Sequence, residues 1–296
     1  RSDISHNRQL RLDIMKCFVI ALCVLCLVPQ TQATDDEPIR INYWEQPQHG
    51  GRDKAIQWCK QNLFGTASTR DVISSPCPGD IETSDIDVTK ISRPQRTSTV
   101  CPAPVIIFCG NDANAVFPAD LILRRGYAVV RVAPDTDGVR RAIDVLMHEK
   151  NLDTQRIAVV GVGSVAKTVL WAAANDERIA CVAVLGASAH EKLLQLIAPR
   201  LLYVVPCTSK NRKEAEATFL SIRRAARLWE TAYGLPGLGI KTYPNPDFER
   251  GDGRIGFYES ATPHSITRTG WVRYLDFVDR HLGKPATAAD APCEPA

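Results

Sequence analysis

The chain has 296 residues, enough for one large domain or two small ones, and 45% of them are hydrophobic and 23% charged, as in soluble globular proteins. The net charge is +3. The first 33 residues hold four basic and two acidic side chains, so they contribute +2 and leave the remainder close to neutral. This distribution gives no electrostatic case for nucleic-acid binding, and a core of this size needs no cofactor to hold it together.

The N-terminal stretch predicts an export signal. Met15 and Lys16 precede an uninterrupted apolar run of 11 residues, 18–28, whereas a membrane-spanning helix needs about 20. A cleavage site follows at Ala33. We therefore interpret residues 1–33 as an upstream extension plus a signal peptide, and expect a secreted or periplasmic protein with no membrane association after cleavage. A membrane anchor is the alternative.

The remainder divides by composition into three segments. Residues 34–51 are polar and predict a loose arm, 52–283 the folded domain, and 284–296 a disordered tail rich in proline and alanine. Seven cysteines fall after residue 33. Cys77 and Cys101 stand in proline-flanked loops and are the favoured disulfide pair, whereas Cys109 and Cys181 stand in apolar runs and predict buried thiols. No Cys-x-x-Cys or His-x-x-x-His spacing occurs after residue 33, so we predict no metal site.

Strand and helix alternate along the predicted domain, in chain order. Apolar runs predict strands at 105–108, 127–132, 157–161, 179–185, 201–205 and 240–243, with a weaker edge strand at 86–91. Helical spacing predicts helices at 53–63, 119–125, 139–150, 192–197, 214–233 and 271–282. Strands that are apolar throughout, separated by helices, indicate a parallel sheet covered on both faces, with 157–161 central.

The turn after the strand at 157–161 is the strongest motif. Gly161-x-Gly163-x-x-Ala166 matches the turn of a dinucleotide-binding fold, but two strands precede it and Gly186-Ala-Ser follows the next strand, where an acidic residue should hold the ribose. The alternative is the nucleophile elbow of a hydrolase, which lies in mid-sheet. A hydrolase of this kind also has an oxyanion loop after an early strand and a histidine after the last strand. The sequence offers Phe108-Cys-Gly-Asn-Asp112 for the loop and His264 for the histidine.

From Asp53 to Leu282 the chain resembles the glucuronoyl methylesterase family and its bacterial relatives, secreted α/β-hydrolases that act on plant cell-wall esters. Four blocks carry the resemblance: 108–112, 152–179 around the elbow, 196–203, and 253–277 with His264. The resemblance implies an α/β-hydrolase-like three-layer sandwich with a mostly parallel central sheet. It also implies carbohydrate esters as ligands, and an oxyanion or binding loop at Gly110, Asn111 and Asp112.

The departures from the family pattern concern the catalytic residues. Its elbow reads Gly-x-Ser-x-x-Gly-Lys, and with Gly161 and Lys167 aligned the nucleophile position falls on Gly163. The acid position falls on Gly186, and only His264 of the triad is kept. Ser164 is an alternative nucleophile, although we expect its hydroxyl to cap the following helix. The resemblance therefore implies an esterase-like protein, inactive or strongly impaired, that retains carbohydrate binding. An active esterase using Ser164 and His264, and a nucleotide-binding oxidoreductase, are the alternatives.

Other side chains near these motifs have structural explanations. We expect Lys167 to be a buried packing or ion-pair residue and His190 to lie at a solvated helix start. The tryptophans of the predicted helices, at 171, 229 and 271, are expected in the core.

Overall fold

The structure, a computed structural model, describes residues 51–64, 91–94, 101–110, 117–206, 212–260 and 266–285. Its strands are β1 (Ala103–Cys109), β2 (Ala128–Val132), β3 (Leu152–Val162), β4 (Ile179–Leu185), β5 (Leu201–Val205), β6 (Glu249–Arg250) and β7 (Ile255–Tyr258). They form one sheet in the order β2-β1-β3-β4-β5-β7-β6. Every pairing is parallel except that of β6 with β7. The predicted interior place of 157–161 is confirmed.

The helices are α1 (Gly51–Cys59), α2 (Ala119–Arg124), α3 (Thr136–Leu146), α4 (Ala166–Asn175), α5 (Glu191–Gln195), α6 (Arg212–Tyr233) and α7 (Arg268–Leu282). A π-helical turn, Lys60–Phe64, extends α1, and a 3-10 turn, Gly163–Val165, precedes α4. In the described part of the chain no helix is long and apolar enough to cross a membrane.

The sheet separates two apolar layers. All seven residues of β1 and all five of β5 are buried, because both faces of these strands are covered. Alternate β1 side chains enter different layers: Val105 and Ile107 pack with α1, α3, α4, α5 and α6, whereas Ile106 and Phe108 pack with α2 and α7. This is the three-layer α/β-hydrolase-like arrangement that the resemblance implied.

The predicted strand at 240–243 is wrong. Those residues form no strand, and the last long strand of the sheet is β7. The sequence pattern did not predict β7 because Gly256 interrupts its apolar run. A Cβ atom on Gly256 would lie 2.3 Å from Cδ2 of Tyr203 and 2.9 Å from Cδ2 of Phe277, so packing against β5 and α7 requires glycine there. Of the predicted edge strand at 86–91 only Ile91 is described; the neighbouring Ser92 bridges Val129 in antiparallel sense.

Two arginines satisfy backbone carbonyls around the C-terminal end of α4. Arg52 donates to the carbonyls of Ala174 (2.7 Å) and Leu196 (2.8 Å). The guanidinium of Arg200 donates to five carbonyls, those of Ala173, Asp176, Ile179, Leu196 and Ile197, at 2.6–3.4 Å. The last carbonyls of a helix have no N–H donors within the helix. The guanidinium groups supply these donors, and their positive charge complements the negative end of the helix dipole.

The predicted core residues are confirmed where the structure describes them. Trp171, Trp229 and Trp271 are buried, as are the thiols Cys109 and Cys181, both with 0% exposure. Cys77 lies outside the described residues, so its pairing with Cys101 stays a prediction, as does the disorder of the C-terminal tail.

Candidate functional site

The elbow lies at the carboxyl end of β3, and two glycines shape it. A Cβ on Gly161 would lie 2.6 Å from Cγ2 of Val169, so this glycine lets α4 pack closely on the strand. Gly163 has φ of 61°, in the left-handed region, and a Cβ placed there would meet no heavy atom within 4 Å. The strand, the sharp left-handed turn and the helix that follows together have the form of a nucleophile elbow. Gly163, which we predict to be the tip of that elbow, carries no side chain.

Ser164 follows the tip inside the 3-10 turn and is exposed. The expected helix cap is wrong, because neither the 3-10 turn nor α4 has a side-chain hydrogen bond at its N-cap. The caps of these two short elements are Val162 and Val165, so the chain enters α4 directly through the 3-10 turn. The Ser164 hydroxyl is consequently exposed to solvent one residue beyond the tip.

The carboxyl edge beside the elbow has no acid at the expected place. Gly186 directly follows β4 with φ of 63°, and its N–H donates to the carbonyl of Val205 at 2.7 Å. Gly110 directly follows β1, and its N–H donates to the carbonyl of Val132 at 3.2 Å. β1, β3 and β4 are neighbours, so the structure brings Gly110, Gly163 and Gly186 to one edge of the sheet. Asn111, Asp112 and His264 lie outside the described residues, and the roles assigned to all these positions stay predictions.

The α1 segment packs against the helices beside the elbow. The ammonium of Lys167 lies 4.4 Å from the ring centroid of Phe64 and donates a hydrogen bond to the carbonyl of Leu63. The expectation that Lys167 is buried is therefore wrong: the residue is exposed, and the π-helical turn that extends α1 offers it an aromatic face and a carbonyl. The ring of Phe64 in turn packs on Trp171, with centroids 4.5 Å apart.

A second cationic and aromatic contact follows β4. The ammonium of Lys192 lies 3.6 Å from the ring centroid of Trp58, and the imidazole of His190 lies 5.5 Å from the same ring. His190 is exposed at the start of α5, as predicted, and its Nδ1 accepts from the N–H of Lys192 at 3.3 Å. Partial burial and the charge of Lys192 lower the pKa of His190, which favours the neutral imidazole near pH 7.

Glu259 is a buried acid at this edge of the sheet that the sequence patterns did not predict. It directly follows β7, at the same edge of the sheet as Gly163 and Gly186, and is only 3% exposed. Its Oε2 and the hydroxyl of Tyr243 face one another but make no hydrogen bond of normal geometry with any described residue. Burial raises the pKa of the Glu259 carboxyl, and Tyr243 and the charge of Arg212 partly offset the rise. The available signal was an acid that ends an apolar strand five residues before His264.

The backbone around Glu259 is tightly held. The N–H of Asp247 donates to the carbonyl of Glu259 at 2.8 Å, and the N–H of Glu259 donates to that of Phe248 at 2.9 Å. Asp247 has φ of 63°, a left-handed conformation unfavourable for a residue other than glycine, and its carboxylate accepts from the Tyr258 hydroxyl at 2.9 Å. The backbone of Glu259 is therefore held at the sheet edge by the turn at Asp247.

We expect Glu259→Gln to stabilise the protein at neutral pH. A carboxyl whose pKa is higher in the folded than in the unfolded chain opposes folding once the unfolded form ionises. The gain should be near zero well below the pKa of a free glutamate, rise as pH increases through the range in which the unfolded form ionises, and be fully present above the raised pKa of the folded form. Urea unfolding measured across this range tests it. The control is Glu214→Gln, which removes an exposed carboxylate from α6. A loss of stability in Glu259→Gln at pH 7 would contradict the assignment.

The site offers few groups for a metal or cofactor. In the described ranges no three His, Cys, Asp or Glu side chains lie together in a manner that could hold a metal ion. Asp135, at the end of β2, accepts a hydrogen bond from the N–H of Gly138 and so caps α3. No carboxylate stands directly after β4, where a dinucleotide fold needs one for the ribose.

Comparison with known proteins confirms the resemblance to the glucuronoyl esterases. No protein-family profile matches the chain. Among curated proteins, the carbohydrate esterase MZ0003 from an unknown prokaryotic organism is 23% identical over 229 residues, which cover 60% of this chain and 52% of that protein. The chain thus spans about half the length of this relative.

Solved structures agree on the fold. A glucuronoyl esterase from Solibacter usitatus has a TM-score of 0.55 and 19% identity, covering 62% of this chain and 74% of its own. A promiscuous esterase of carbohydrate esterase family 15 from a marine bacterial metagenome has a TM-score of 0.56 and 16% identity, covering 61% and 74%. A family 15 glucuronoyl esterase from Caldicellulosiruptor kristjansonii has a TM-score of 0.51 and 19% identity, covering 70% and 76%. The chain has the α/β-hydrolase-like fold of these carbohydrate esterases.

Proposed function

We propose that this protein is an exported, esterase-like member of the α/β-hydrolase fold that binds carbohydrate esters without hydrolysing them efficiently. The observation that carries the proposal is the left-handed backbone of Gly163, which supports its assignment to the tip of the elbow, a position where glycine offers no nucleophile. The ligand class comes from the fold shared with glucuronoyl esterases. Export follows from the apolar run at 18–28.

The chemistry supports a strong impairment. Acyl transfer in such a fold needs a nucleophile that forms the acyl-enzyme and a base oriented by an acid. Gly163 cannot form a covalent intermediate, and Gly186 cannot orient the imidazole. In serine proteases, removal of any triad member leaves only a residual enhancement of roughly a thousandfold to ten-thousandfold over water, which comes from the oxyanion hole and binding.

Ser164 supports a second candidate, an active esterase with a displaced nucleophile. Its hydroxyl is exposed and does not cap α4, so it is chemically accessible. The position of Ser164, one residue after the predicted tip, argues against its being the nucleophile. In a nucleophile elbow the residue after the nucleophile contributes its backbone N–H to the oxyanion hole, while the tip side chain points out over the sheet edge. The oxidoreductase alternative has no comparable supporting observation.

Labelling with an alkyl fluorophosphonate, followed by intact-mass spectrometry, tests the proposal. This reagent phosphonylates an activated serine and releases fluoride. We expect no adduct on the wild-type protein, and the same result for Ser164→Ala. A stoichiometric wild-type adduct that disappears in Ser164→Ala would establish Ser164 as the nucleophile and refute the proposed loss of the site. Calorimetric titration with methyl glucuronate examines the retained binding separately.

A further inference from the structure

A groove lies at the opposite edge of the sheet, around the amino ends of β4 and β5. Its volume is about 570 Å³, within the usual range for sites that hold small molecules. Three arginines, Arg178, Arg200 and Arg254, line it, with Glu177 as its acidic lining residue and with apolar side chains that include Leu201 and Leu235. It is separate from the elbow, which stands at the carboxyl ends of the strands.

Arg200 gives one wall of the groove a partly buried positive charge. Its guanidinium donates only to backbone carbonyls and makes no ion pair with a described carboxylate. Burial, followed by repulsion from Arg52, lowers the pKa of Arg200 to about 10. A partly buried cation that contacts carbonyls but no directly paired anion attracts negative charge, and an anion held in the groove would satisfy that attraction.

Arg254 supplies donors that a ligand can use. Its side chain is exposed and makes no hydrogen bond or ion pair with any described residue. Its backbone is fixed by hydrogen bonds to Leu202 (3.0 Å) and Pro236 (3.4 Å), so the guanidinium extends from a held position just before β7. Arg178 is already engaged, because it donates to Asp176 and Asp144 at 2.6–2.9 Å. Glu177 is 82% exposed and lies 3.8 Å from Arg52.

We propose that this groove binds a small organic carboxylate. Arg254 donates to the carboxylate, for which its planar fork is well matched, and the apolar body of the ligand lies against Leu235 and the exposed side chain of Met147, which also lines the groove. The field of Arg200 favours the anion over a neutral analogue. A single unpaired guanidinium beside apolar side chains fits a monoanion better than a phosphate dianion. The site does not depend on ester chemistry at the elbow.

The test uses benzoate and its neutral analogue benzamide as probes, with binding to the full chain measured by calorimetry at low salt. We expect saturable benzoate binding below about 10 mM and at least tenfold weaker benzamide binding. Arg254→Gln should weaken benzoate binding by about tenfold. Glu177→Gln should tighten it, because it removes the negative charge from the lining. The matched control is Arg250→Gln, since Arg250 pairs with Asp252 at 3.6 Å outside the groove.

Three results would overturn the proposal: no benzoate binding by the wild type, equal binding of benzoate and benzamide, or unchanged benzoate binding by Arg254→Gln. Circular dichroism of each variant establishes that the fold is retained. Arg254 is exposed, so its substitution should leave the unfolding midpoint unchanged. None of these outcomes concerns the elbow. The test of the carboxylate groove and the test of the proposed function can therefore succeed or fail independently of each other.

Discussion

Replacing Arg200 by methionine is expected to destabilise the protein by about 3 kcal/mol or more, because the guanidinium satisfies five backbone carbonyls at the end of α4 and beside it. Methionine fills a similar volume but offers no donor. Each buried carbonyl left without a partner costs roughly 1–3 kcal/mol, and the removal of a partly buried cation offsets part of the sum. The midpoint of urea unfolding should fall accordingly.

Arg227→Met is the matched control for this experiment. Arg227 stands exposed on α6, so the same substitution there should change the free energy of unfolding by less than about 0.5 kcal/mol. A loss below about 1 kcal/mol in Arg200→Met would show that water replaces the guanidinium at these carbonyls. In that case Arg200 would not be a principal contact between α4, α5 and the sheet.

The sheet could be predicted from the sequence because its strands are buried on both faces. β1, β4 and β5 are nearly uninterrupted apolar runs, which require no tertiary information to recognise. β7 was not predicted because it contains Gly256, which interrupts the apolar run. Tyr203 packs so closely against this position that no larger residue fits there. The predicted strand at 240–243 instead follows Gly239, whose φ is 68°, in an irregular segment.

The candidate site was predictable in its backbone and less so in its side chains. The two glycines indicated the elbow, and φ of 61° at Gly163 fits its assignment to the tip. The environments of Lys167 and Ser164 were predicted wrongly, because they depend on where α1 docks and on the 3-10 turn before α4. Glu259 was missed because its burial arises from α6 and the turn at Asp247, elements distant in sequence or irregular in form.

Gly163→Ser is expected to raise the rate of ester hydrolysis above that of the wild type. A Cβ at this position meets open space, so the new hydroxyl would fit above the carboxyl edge of the sheet. The left-handed backbone costs a residue other than glycine about 1–2 kcal/mol, a strain that nucleophile elbows tolerate. The gain should be partial, because in a serine protease a mis-set imidazole alone costs about ten-thousandfold in rate.

The decisive measurement is the initial rate of hydrolysis of methyl glucuronate and p-nitrophenyl acetate by the wild type, Gly163→Ser and Gly163→Ala. Gly163→Ala carries the same backbone strain without a hydroxyl. Any rate difference between Gly163→Ser and Gly163→Ala therefore reports the effect of the hydroxyl alone. We predict that the wild type and Gly163→Ala match the buffer rate, and that Gly163→Ser exceeds them by about tenfold or more. Wild-type turnover above background that Ser164→Ala abolishes and Gly163→Ser does not improve would contradict the loss of the nucleophile.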